Sequence, residues 1–380
     1  MTKGIIISGG FGTRLRPLTC TIPKPLIPIV NKPVIERQID LLRSAGVKDI
    51  TLAVSVMADV LKNYFHDGKD FGVKIQYTSE RTPMGTAGAI KLAEDHLKDE
   101  NFFMLNGDVI LNFDFKQMLK SHESYKGMGS IASKIVEDPS RYGVLIVDNE
   151  SGKINNFLEK NEYHPPGGKY VPMPINAGVY LLEPDIFNYI QPGKKVSIER
   201  EIFPKLAEEG NLYNFPISGI WKDIGKPEEL LEGNIQLMLD ILKDVNNQQK
   251  NIIDESLDID GKALIYPPIA IGENVVIGKN CEIGPNVIIG DNVFIDDNTI
   301  IKETLIYNKA YISKDVKIEK GIISDNCLIG NGVELKGNNQ NLVILASYVE
   351  VSEQVRLIAP SNGSITICHH EVVREDIGTY

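Results

Sequence analysis

A glycine-rich turn followed by several cations lies within the first 25 residues of the chain. The stretch IIISGGFGTRLRPLTCTIPKP begins at residue 5 and contains no acidic residue. Its glycines and cations are Gly9, Gly10, Gly12, Arg14, Arg16 and Lys24. Glycine accepts positive φ and has no Cβ, so the backbone N–H groups of such a turn can converge on an anion. The pattern indicates a phosphate-binding turn, with Arg14 and Lys24 supplying charge; from the glycines alone, an ordinary turn is an equally good interpretation.

Short apolar runs alternate with helical patterns from residue 4 to about residue 110. The runs GIIIS, DITLAVS, VKIQYTS and FFMLNGDVI are separated by PVIERQIDLLRSAG, ADVLKNYFHDG and TAGAIKLAEDHLK. Continuous apolar strands joined by crossover helices predict a doubly wound, mostly parallel α/β sheet. Ligands bind such sheets at the carboxyl ends of the strands. SGGFGTR and Asp108 both lie at such ends, although an aspartate after a strand is also a common turn former.

A six-residue periodicity begins further along the chain. The recurring residues are Ile271, Ile277, Ile283, Ile289, Ile295 and Ile301, with Asn274, Asn280, Asn286, Asn292 and Asn298. An α-helix cannot keep one residue type on one face at this period. A strand that turns a corner in each repeat can, with isoleucine pointing inward and asparagine in a left-handed corner. The pattern predicts a parallel β-helix of hexapeptide repeats, and it fades after about residue 335.

The length of 380 residues is sufficient for more than one domain. We expect the doubly wound domain to occupy residues 1–232. A helix and a polar linker containing NNQQKN are expected over residues 233–262. The β-helix domain, with a C-terminal tail, is expected over residues 263–380.

The overall charge excludes a large electrostatic footprint for nucleic acid or an anionic membrane, because the formal net charge is -11 and the pI is about 5.2. Positive charge is local: in the first 37 residues Glu36 is the only acid, whereas the cations are Lys3, Arg14, Arg16, Lys24, Lys32 and Arg37. The four cysteines are scattered without a CxxC pair, and no stretch approaches the roughly 18 apolar residues of a membrane span. We therefore expect a cytoplasmic protein that binds a small anion.

The continuation GTRLRPLTxxxPKPLxPI resembles the signature of the sugar-1-phosphate nucleotidyltransferases, also called nucleotide-sugar pyrophosphorylases. Further blocks up to about residue 230 are similar to the GDP-mannose-forming members: AVSVMADVL, PMGTAGAIKLA, EDPSRYGVLIVD, INAGVYLLEP, SIEREIFPKLAEEGNLY and GIWKDIGKP. Members of this type also carry a C-terminal left-handed β-helix, which implies that hand for the hexapeptide repeats. The resemblance fades beyond about residue 335.

The resemblance implies that a sugar 1-phosphate attacks the α-phosphorus of a nucleoside triphosphate and that pyrophosphate leaves. GTP with mannose 1-phosphate is the favoured pair, and glucose 1-phosphate with UTP, dTTP or ATP is the alternative. Arg14 would act on the leaving pyrophosphate, Lys24 near the α-phosphate, and Asp108 and Asp223 would share Mg²⁺. The implied nucleotide-binding residues are Gly9, Gly10, Gly12, Thr13, Glu80, Gly85, Thr86 and Gly88. The implied sugar-phosphate-binding residues are Tyr142, Gly143, Glu159, Lys160, Asn176 and Gly178.

One departure and two other functions bear on this interpretation. The usual Glu-Lys-Pro reads Glu159, Lys160, Asn161 here, and losing the proline is expected to free the turn that carries Lys160. A non-catalytic nucleotide-sugar-binding regulator would typically have an altered glycine loop, whereas this one is intact. Acyl transfer by the repeats commonly needs a histidine, and residues 271–335 contain none. The flat faces of the repeats instead predict a homo-oligomer.

Overall fold

The computed structural model describes residues 2–80, 82–244 and 250–378; residues 246–249 of the predicted NNQQKN linker lie outside the described residues. The chain divides into two compact units that do not follow chain order. The sheet unit contains residues 1–10 and 34–221, and the β-helix unit contains residues 11–33 and 222–380. The segment with the cations of the N-terminal signature therefore belongs to the β-helix unit.

The α-helices of the described residues are α1 (Val34–Ser44), α2 (Ala58–Phe65), α3 (Gly85–Leu92), α4 (Glu94–Leu97), α5 (Phe115–Tyr125), α6 (Phe203–Glu208) and α7 (Pro227–Asp244). Short 3₁₀ turns at Thr13–Leu15, Leu18–Cys20 and Lys24–Leu26 occupy the signature segment. Within the described part of the chain, no helix combines the length and the apolar character that a membrane span requires.

The first strands of the chain are β1 (Lys3–Ser8), β2 (Pro28–Ile29), β3 (Lys32–Pro33), β4 (Asp49–Val54), β5 (Lys74–Ser79), β6 (Phe102–Asn106), β7 (Val109–Leu111), β8 (Gly129–Val136), β9 (Val144–Val147), β10 (Ile154–Leu158), β11 (Met173–Leu182), β12 (Leu212–Pro216) and β13 (Trp221–Asp223). The main sheet of the sheet unit has the order β10-β9-β11-β6-β1-β4-β5, and β8 joins β11 to β12.

The predicted parallel sheet is confirmed in the part of the chain that showed the alternating pattern. Strands β6, β1, β4 and β5 are parallel to one another. Phe102, Phe103, Met104 and Leu105 are consecutive in β6, and each has 0% exposure, so both faces of this strand are covered. Strand β11, in contrast, is antiparallel to β6, β8 and β9. This antiparallel half forms from residues beyond the alternating pattern.

The β-helix strands are β14 (Ile252–Ile253), β15 (Asp258–Ile259), β16 (Leu264–Ile265), β17 (Ile269–Ile271), β18 (Val276–Ile277), β19 (Glu282–Ile283), β20 (Val287–Ile289), β21 (Phe294–Ile295), β22 (Ile300–Lys302), β23 (Thr304–Ile306), β24 (Tyr311–Ile312), β25 (Lys317–Glu319), β26 (Gly321–Ile323), β27 (Leu328–Ile329), β28 (Glu334–Lys336), β29 (Val343–Leu345), β30 (Glu350–Val351), β31 (Arg356–Ile358), β32 (Ile365–Ile367), β33 (Val372–Val373) and β34 (Ile377–Gly378). Each strand pairs in parallel with the strand three positions further along the chain, and these pairs form three seven-stranded sheets.

The repeat residues have the roles that the periodicity predicted. The isoleucines of the repeat are at most 2% exposed and belong to one continuous core. The repeat asparagines have φ values between 53° for Asn274 and 61° for Asn298. These are left-handed corners, which asparagine tolerates better than other side chains. The parallel β-helix is therefore confirmed.

The β-helix also continues past the point where its repeat fades from the sequence. Ile271 pairs with Ile289, 18 residues further on, whereas Ile323 pairs with Leu345, 22 residues further on. The additional residues form longer corner loops over 337–342 and 359–364, in place of single corner residues such as Glu303 and Lys320. These loops interrupt the period of six without ending the stack of coils.

One outer face of the β-helix is covered within its own unit. The middle residues of successive strands on this face are Ala270, Ile288, Leu305, Ile322 and Ile344, and each is at most 2% exposed. Helix α7 contacts strand β20 on this face. Residues 11–33 also reach it, because Asn31 Nδ2 donates a hydrogen bond to Ile289 O at 2.7 Å. The signature segment and α7 thus pack on the β-helix.

We predict that Asp325→Asn raises the stability of the protein at neutral pH. Asp325 Oδ1 accepts a hydrogen bond from Asn308 N at 3.0 Å, and burial raises the pKa of this carboxyl above its usual value of 3.8. A raised pKa in the folded state means that stability falls as pH rises through that pKa. Asparagine keeps the acceptor and does not ionise. The unfolding midpoint should exceed that of the unmodified protein at pH 7, and the difference should disappear below pH 3.8.

Asp297→Asn provides the matched control, because Asp297 Oδ1 likewise accepts a backbone hydrogen bond, from Lys279 N at 2.8 Å. Thermal unfolding followed by circular dichroism would measure all three proteins across pH. If Asp325→Asn lowered the midpoint at pH 7, burial of the carboxylate would not be the destabilising factor.

Candidate functional site

The turn after β1 requires glycine for two different reasons. Gly10 has φ of 98°, and a Cβ there would have no atom within 4 Å, so the backbone conformation alone favours glycine. Gly12 has φ of 57°, and a Cβ there would also lie 3.0 Å from Thr19 Cγ2. The Thr19 hydroxyl donates a hydrogen bond to Gly12 O at 2.8 Å, which ties the turn to the segment behind it. Predicted phosphate binding by Gly9, Gly10, Gly12 and Thr13 remains a prediction.

Three of the four predicted catalytic side chains lie in the β-helix unit. Lys24 Nζ lies 4.0 Å from Asp223 Oδ1, and these side chains are 10% and 24% exposed. Arg14 lies beside the turn that follows Asp223, since a Cβ on Gly225 would be 3.0 Å from Arg14 Nη1. Gly225 N also donates to Glu229 Oε2 at 2.8 Å, at the start of α7. Two cations and a carboxylate therefore converge within one unit, although they are far apart in sequence.

Asp108 lies in the sheet unit, at the carboxyl end of β6. The preceding residue, Gly107, donates its N–H to Ile7 O at 2.9 Å, which places this turn beside the end of β1. This is the ligand-binding edge expected of a doubly wound sheet. Among the described residues, no cluster of three or more His, Cys, Asp or Glu side chains forms a cation site. Two carboxylates suit Mg²⁺, which takes its remaining ligands from phosphate and water.

The predicted nucleobase loop is shaped by packing inside the sheet unit. Gly85 has φ of 73°, and a Cβ there would lie 2.4 Å from Val196 O. Ala87 N donates to the same carbonyl at 3.1 Å, and Glu80 Oε2 accepts a hydrogen bond from Met84 N at 3.0 Å. Gly88 is equally crowded, because its Cβ would lie 2.6 Å from Met84 Cβ. These contacts explain the glycines without a ligand, and base recognition by Glu80 and Thr86 remains a prediction.

The structure brings four of the predicted sugar-binding residues together. A Cβ on Gly143 would lie 3.4 Å from Glu159 Oε1, and Asn176 N donates to Gly143 O at 2.8 Å. Asn176 Oδ1 accepts from Gly178 N at 3.0 Å, and its Nδ2 donates to the hydroxyl of the buried Tyr180 at 2.9 Å. The register between β11 and β8 shifts between Asn176 and Tyr180. Such irregularities redirect side chains at sheet edges and active sites.

The ring of Tyr142 meets the ring of Trp221 edge to face, with centroids 5.4 Å apart. Trp221 Nε1 donates a hydrogen bond to Ala177 O at 2.8 Å, in the strand that carries Asn176. Tyr142 therefore packs against the same part of the sheet unit as the other predicted sugar-binding residues.

The turn that carries Lys160 is closed, contrary to the expectation that losing the family proline would free it. Asn161 has φ of 72°, a value that the proline ring cannot reach. Glu162 N donates to Glu159 O at 2.9 Å, and Glu162 Oε2 accepts from Glu159 N at 2.8 Å. Asparagine thus permits a tight left-handed turn that differs in shape from one built on proline.

Glu199 is a residue of this region that the sequence did not single out. Its Oε2 accepts hydrogen bonds from Thr86 Oγ1 at 2.6 Å and from Ser197 Oγ at 2.8 Å. Burial, and then the negative charge of Glu199, raises the pKa of Glu159. Glu199 therefore joins the predicted nucleobase loop to the predicted sugar-binding residues. The block SIEREIF contains two glutamates, and nothing in their order indicates which one points inward.

Two family matches cover nearly all of the described chain. Residues 3–238 match the nucleotidyl transferase family. Residues 265–379 match the GMPPB C-terminal domain. The first match ends within α7, and the second begins within β16, the third strand of the β-helix.

Three relatives extend these matches. "Mannose-1-phosphate guanylyltransferase 1" of Arabidopsis thaliana is 35% identical over 97% of this chain and 97% of its own length. "Mannose-1-phosphate guanyltransferase" of Saccharomyces cerevisiae is 43% identical over 70% of this chain and 72% of its own. "Mannose-1-phosphate guanylyltransferase catalytic subunit beta" of Danio rerio is 41% identical, with shares of 72% and 73%. The chain belongs to the nucleotidyl transferase family, in the branch of the mannose-1-phosphate guanylyltransferases.

Solved structures agree with this assignment. A putative glucose-1-phosphate thymidylyltransferase from Bacillus anthracis, in complex with a sucrose, matches with a TM-score of 0.55 and 28% identity, over 62% of this chain and 94% of that one. HddC from Yersinia pseudotuberculosis, complexed with GMP-PN, matches with a TM-score of 0.52 and 31% identity, over 62% of this chain and 100% of that one. Nucleotidyltransferases of this family generally use a divalent metal ion.

We predict that Glu199→Gln lowers the pKa of Glu159, because the substitution removes the negative charge beside it and keeps a side chain of the same size. The pKa would be measured by NMR with the glutamate carboxyl carbons labelled with ¹³C. Glu201→Gln is the matched control, since Glu201 lies in the same segment and accepts a hydrogen bond from Ser197 N at 2.9 Å. An equal shift in both variants, or none in either, would contradict the placement of Glu199 beside Glu159.

Proposed function

We propose that the protein transfers GMP from GTP to mannose 1-phosphate, which yields GDP-mannose and pyrophosphate. The relative that matches over 97% of both chains is named for this transfer. The observation that carries the proposal is the approach of Lys24 to Asp223, which brings the cation and the carboxylate expected at the reacting phosphate to within 4.0 Å. The signature segment thus has the charges that a nucleotidyltransferase requires.

The reaction needs no general base, because a sugar phosphate is already an anion at neutral pH. Its phosphate oxygen attacks the α-phosphorus in line. The bond between the α-phosphorus and the oxygen that bridges to the β-phosphorus breaks, and pyrophosphate leaves with that oxygen. Catalysis then consists of alignment and of charge stabilisation in the transition state. Lys24 neutralises charge on the α-phosphate, and Arg14 neutralises charge on the departing pyrophosphate.

Asp108 and Asp223 would hold Mg²⁺, which when bound would neutralise phosphate charge beside the two cations. The negative charge of Asp223 would then be shared between the ion and the ammonium group of Lys24. Two carboxylates leave coordination positions for phosphate oxygens and water, as Mg²⁺ prefers.

The sugar would be bound by the polar groups gathered in the sheet unit. The Glu159 carboxylate would accept hydrogen bonds from sugar hydroxyls, and Asn176 can both donate and accept. Lys160 would contact the 1-phosphate from its closed turn. Glu199 would bias the site towards hydroxyl donors, because a second carboxylate beside Glu159 disfavours any further negative charge.

Pyrophosphate release tests the proposed substrates directly. GTP, UTP, dTTP and ATP would each be combined with the 1-phosphates of mannose, glucose and N-acetylglucosamine. We expect GTP with mannose 1-phosphate to give the highest kcat/KM, and chelation of Mg²⁺ to abolish turnover. A different best pair would overturn the substrate assignment while retaining the reaction class, whereas no release with any pair would overturn both.

Lys24→Ala and Asp108→Asn should each lower kcat by about 10²-fold or more, because each removes charge stabilisation that acts in the transition state. The matched controls are Lys48→Ala and Asp49→Asn, two exposed residues at the opposite edge of the sheet, at the start of β4. Pyrophosphate release at saturating substrates would be compared alongside thermal unfolding. Turnover within about twofold of the controls would remove the substituted residue from the mechanism.

A further inference from the structure

The hairpin β2–β3 lies in the signature segment, a few residues after Lys24, and it turns through an unusual residue. Val30 and Asn31 connect the two strands with φ of 48° and 62°. Positive φ at both central residues is typical of type I′ hairpin turns, which favour Asn and Gly. A β-branched residue is strained in this region. Such a conformation persists where the surrounding structure holds it.

Three side chains in the β-helix unit hold the hairpin. Val30 N donates to Asn234 Oδ1 at 2.7 Å; Asn234, in α7, is 0% exposed. Asn31 Nδ2 donates to Ile289 O at 2.7 Å in strand β20. The Tyr307 hydroxyl donates to Pro28 O at 3.2 Å. We name Asn31, Asn234 and Tyr307 the hairpin clamp.

Each member of the hairpin clamp is held in turn by the β-helix or by α7. Asn234 Nδ2 donates to Leu230 O at 2.9 Å, which fixes the orientation of its amide on the helix. Tyr307 is 5% exposed and directly follows β23, and burial raises its pKa, so its hydroxyl stays protonated and able to donate. The contacts are therefore permanent features of the fold at any ordinary pH.

The chain between Lys24 and the hairpin is short and tightly packed. Leu26 N donates to Pro23 O at 2.9 Å, and Ile27 N donates to Lys24 O at 3.1 Å, so Lys24 begins a tight turn. Ile27 and Ile29, between this turn and the hairpin bend, are 1% and 0% exposed. Packed interiors transmit displacements rather than absorb them. A shift of the hairpin would therefore move the backbone of Lys24.

We propose that the hairpin clamp positions Lys24 for catalysis, so that the β-helix and α7 set the place of the ammonium group relative to Asp223. The members of the clamp are positioning residues, since they act through the backbone of the hairpin. The inference rests on the role proposed above for Lys24. The β-helix would then contribute to catalysis in its own chain by positioning Lys24.

Tyr307→Phe is the first test, because it removes one hydroxyl and keeps the buried ring. We expect kcat to fall between about 3-fold and 100-fold, as displacements remote from the chemistry can cause. The KM for both substrates should stay within twofold, and the protein should remain folded, with an unfolding midpoint lowered only by the loss of one partly buried hydrogen bond. Asn31→Gly is the second variant, since glycine keeps the left-handed turn and removes the amide. It should give the same pattern.

Tyr311→Phe is the matched control for Tyr307→Phe. Tyr311 undergoes the same chemical change in the same β-helix, but it is 43% exposed and lies in a different sheet, at β24. Its kcat should equal that of the unmodified protein. If Tyr307→Phe and Asn31→Gly both matched this control in kcat, the positioning inference would be overturned.

A double-mutant cycle with Lys24→Ala distinguishes positioning from a general structural role. If Tyr307 acts through Lys24, Tyr307→Phe should cause no further loss in the Lys24→Ala background, measured as residual pyrophosphate release over long incubations. If the fold-losses in turnover of the two single variants multiplied in the double variant, the inference would be overturned. Turnover retained in Lys24→Ala alone would refute the catalytic role of Lys24 and the inference with it, whereas an inactive Lys24→Ala with a silent Tyr307→Phe would refute the inference alone.

Discussion

The cations of the signature lie in residues 11–33, a segment with little regular structure of its own. The segment consists of short 3₁₀ turns and a hairpin whose strands have two residues each. The like charges within the segment repel one another. Glycine adds a large entropic cost of ordering. The order of the segment therefore comes from its buried apolar side chains, such as Leu15 and Ile29, and from hydrogen bonds to neighbouring parts of its unit. Thr21 Oγ1 shares a hydrogen bond with Ser347 Oγ at 3.4 Å, and Asn31 Nδ2 donates to Ile289 O at 2.7 Å.

A β-helix suits this supporting role because of how it is built. Each coil pairs with the coils on either side over all three sheets, and a continuous core of isoleucine, valine and leucine runs through the stack. A face of such a stack does not bend readily, so groups attached to it keep their spacing. The buried outer residues from Ala270 to Ile344 show that most of one face is used for contacts of this kind.

Under the proposed function the sheet unit would meet a different demand, because it would have to gather polar groups around the hydroxyls of a sugar 1-phosphate. Its antiparallel half provides them: β11 carries Asn176 and Gly178, and Glu159 follows β10. The register between β11 and β8 shifts directly after Asn176. Glu199 then links this region to Thr86, because it accepts a hydrogen bond from Thr86 and its negative charge raises the pKa of Glu159.

Local pattern determined a large part of this protein. Apolar runs and intervening helices predicted the parallel half of the sheet, and a period of six predicted the coils and their asparagine corners. These features arise from residues close together in sequence, where period and dihedral preference can be read directly. Tertiary structure alone decided that residues 11–33 join the β-helix, that Glu199 points inward and that the coils continue past residue 335. The contacts that place residues 11–33 join residues far apart along the chain: Asn31 and Ile289 are separated by 258 residues, and Pro28 and Tyr307 by 279. A local sequence pattern cannot predict contacts at such separations.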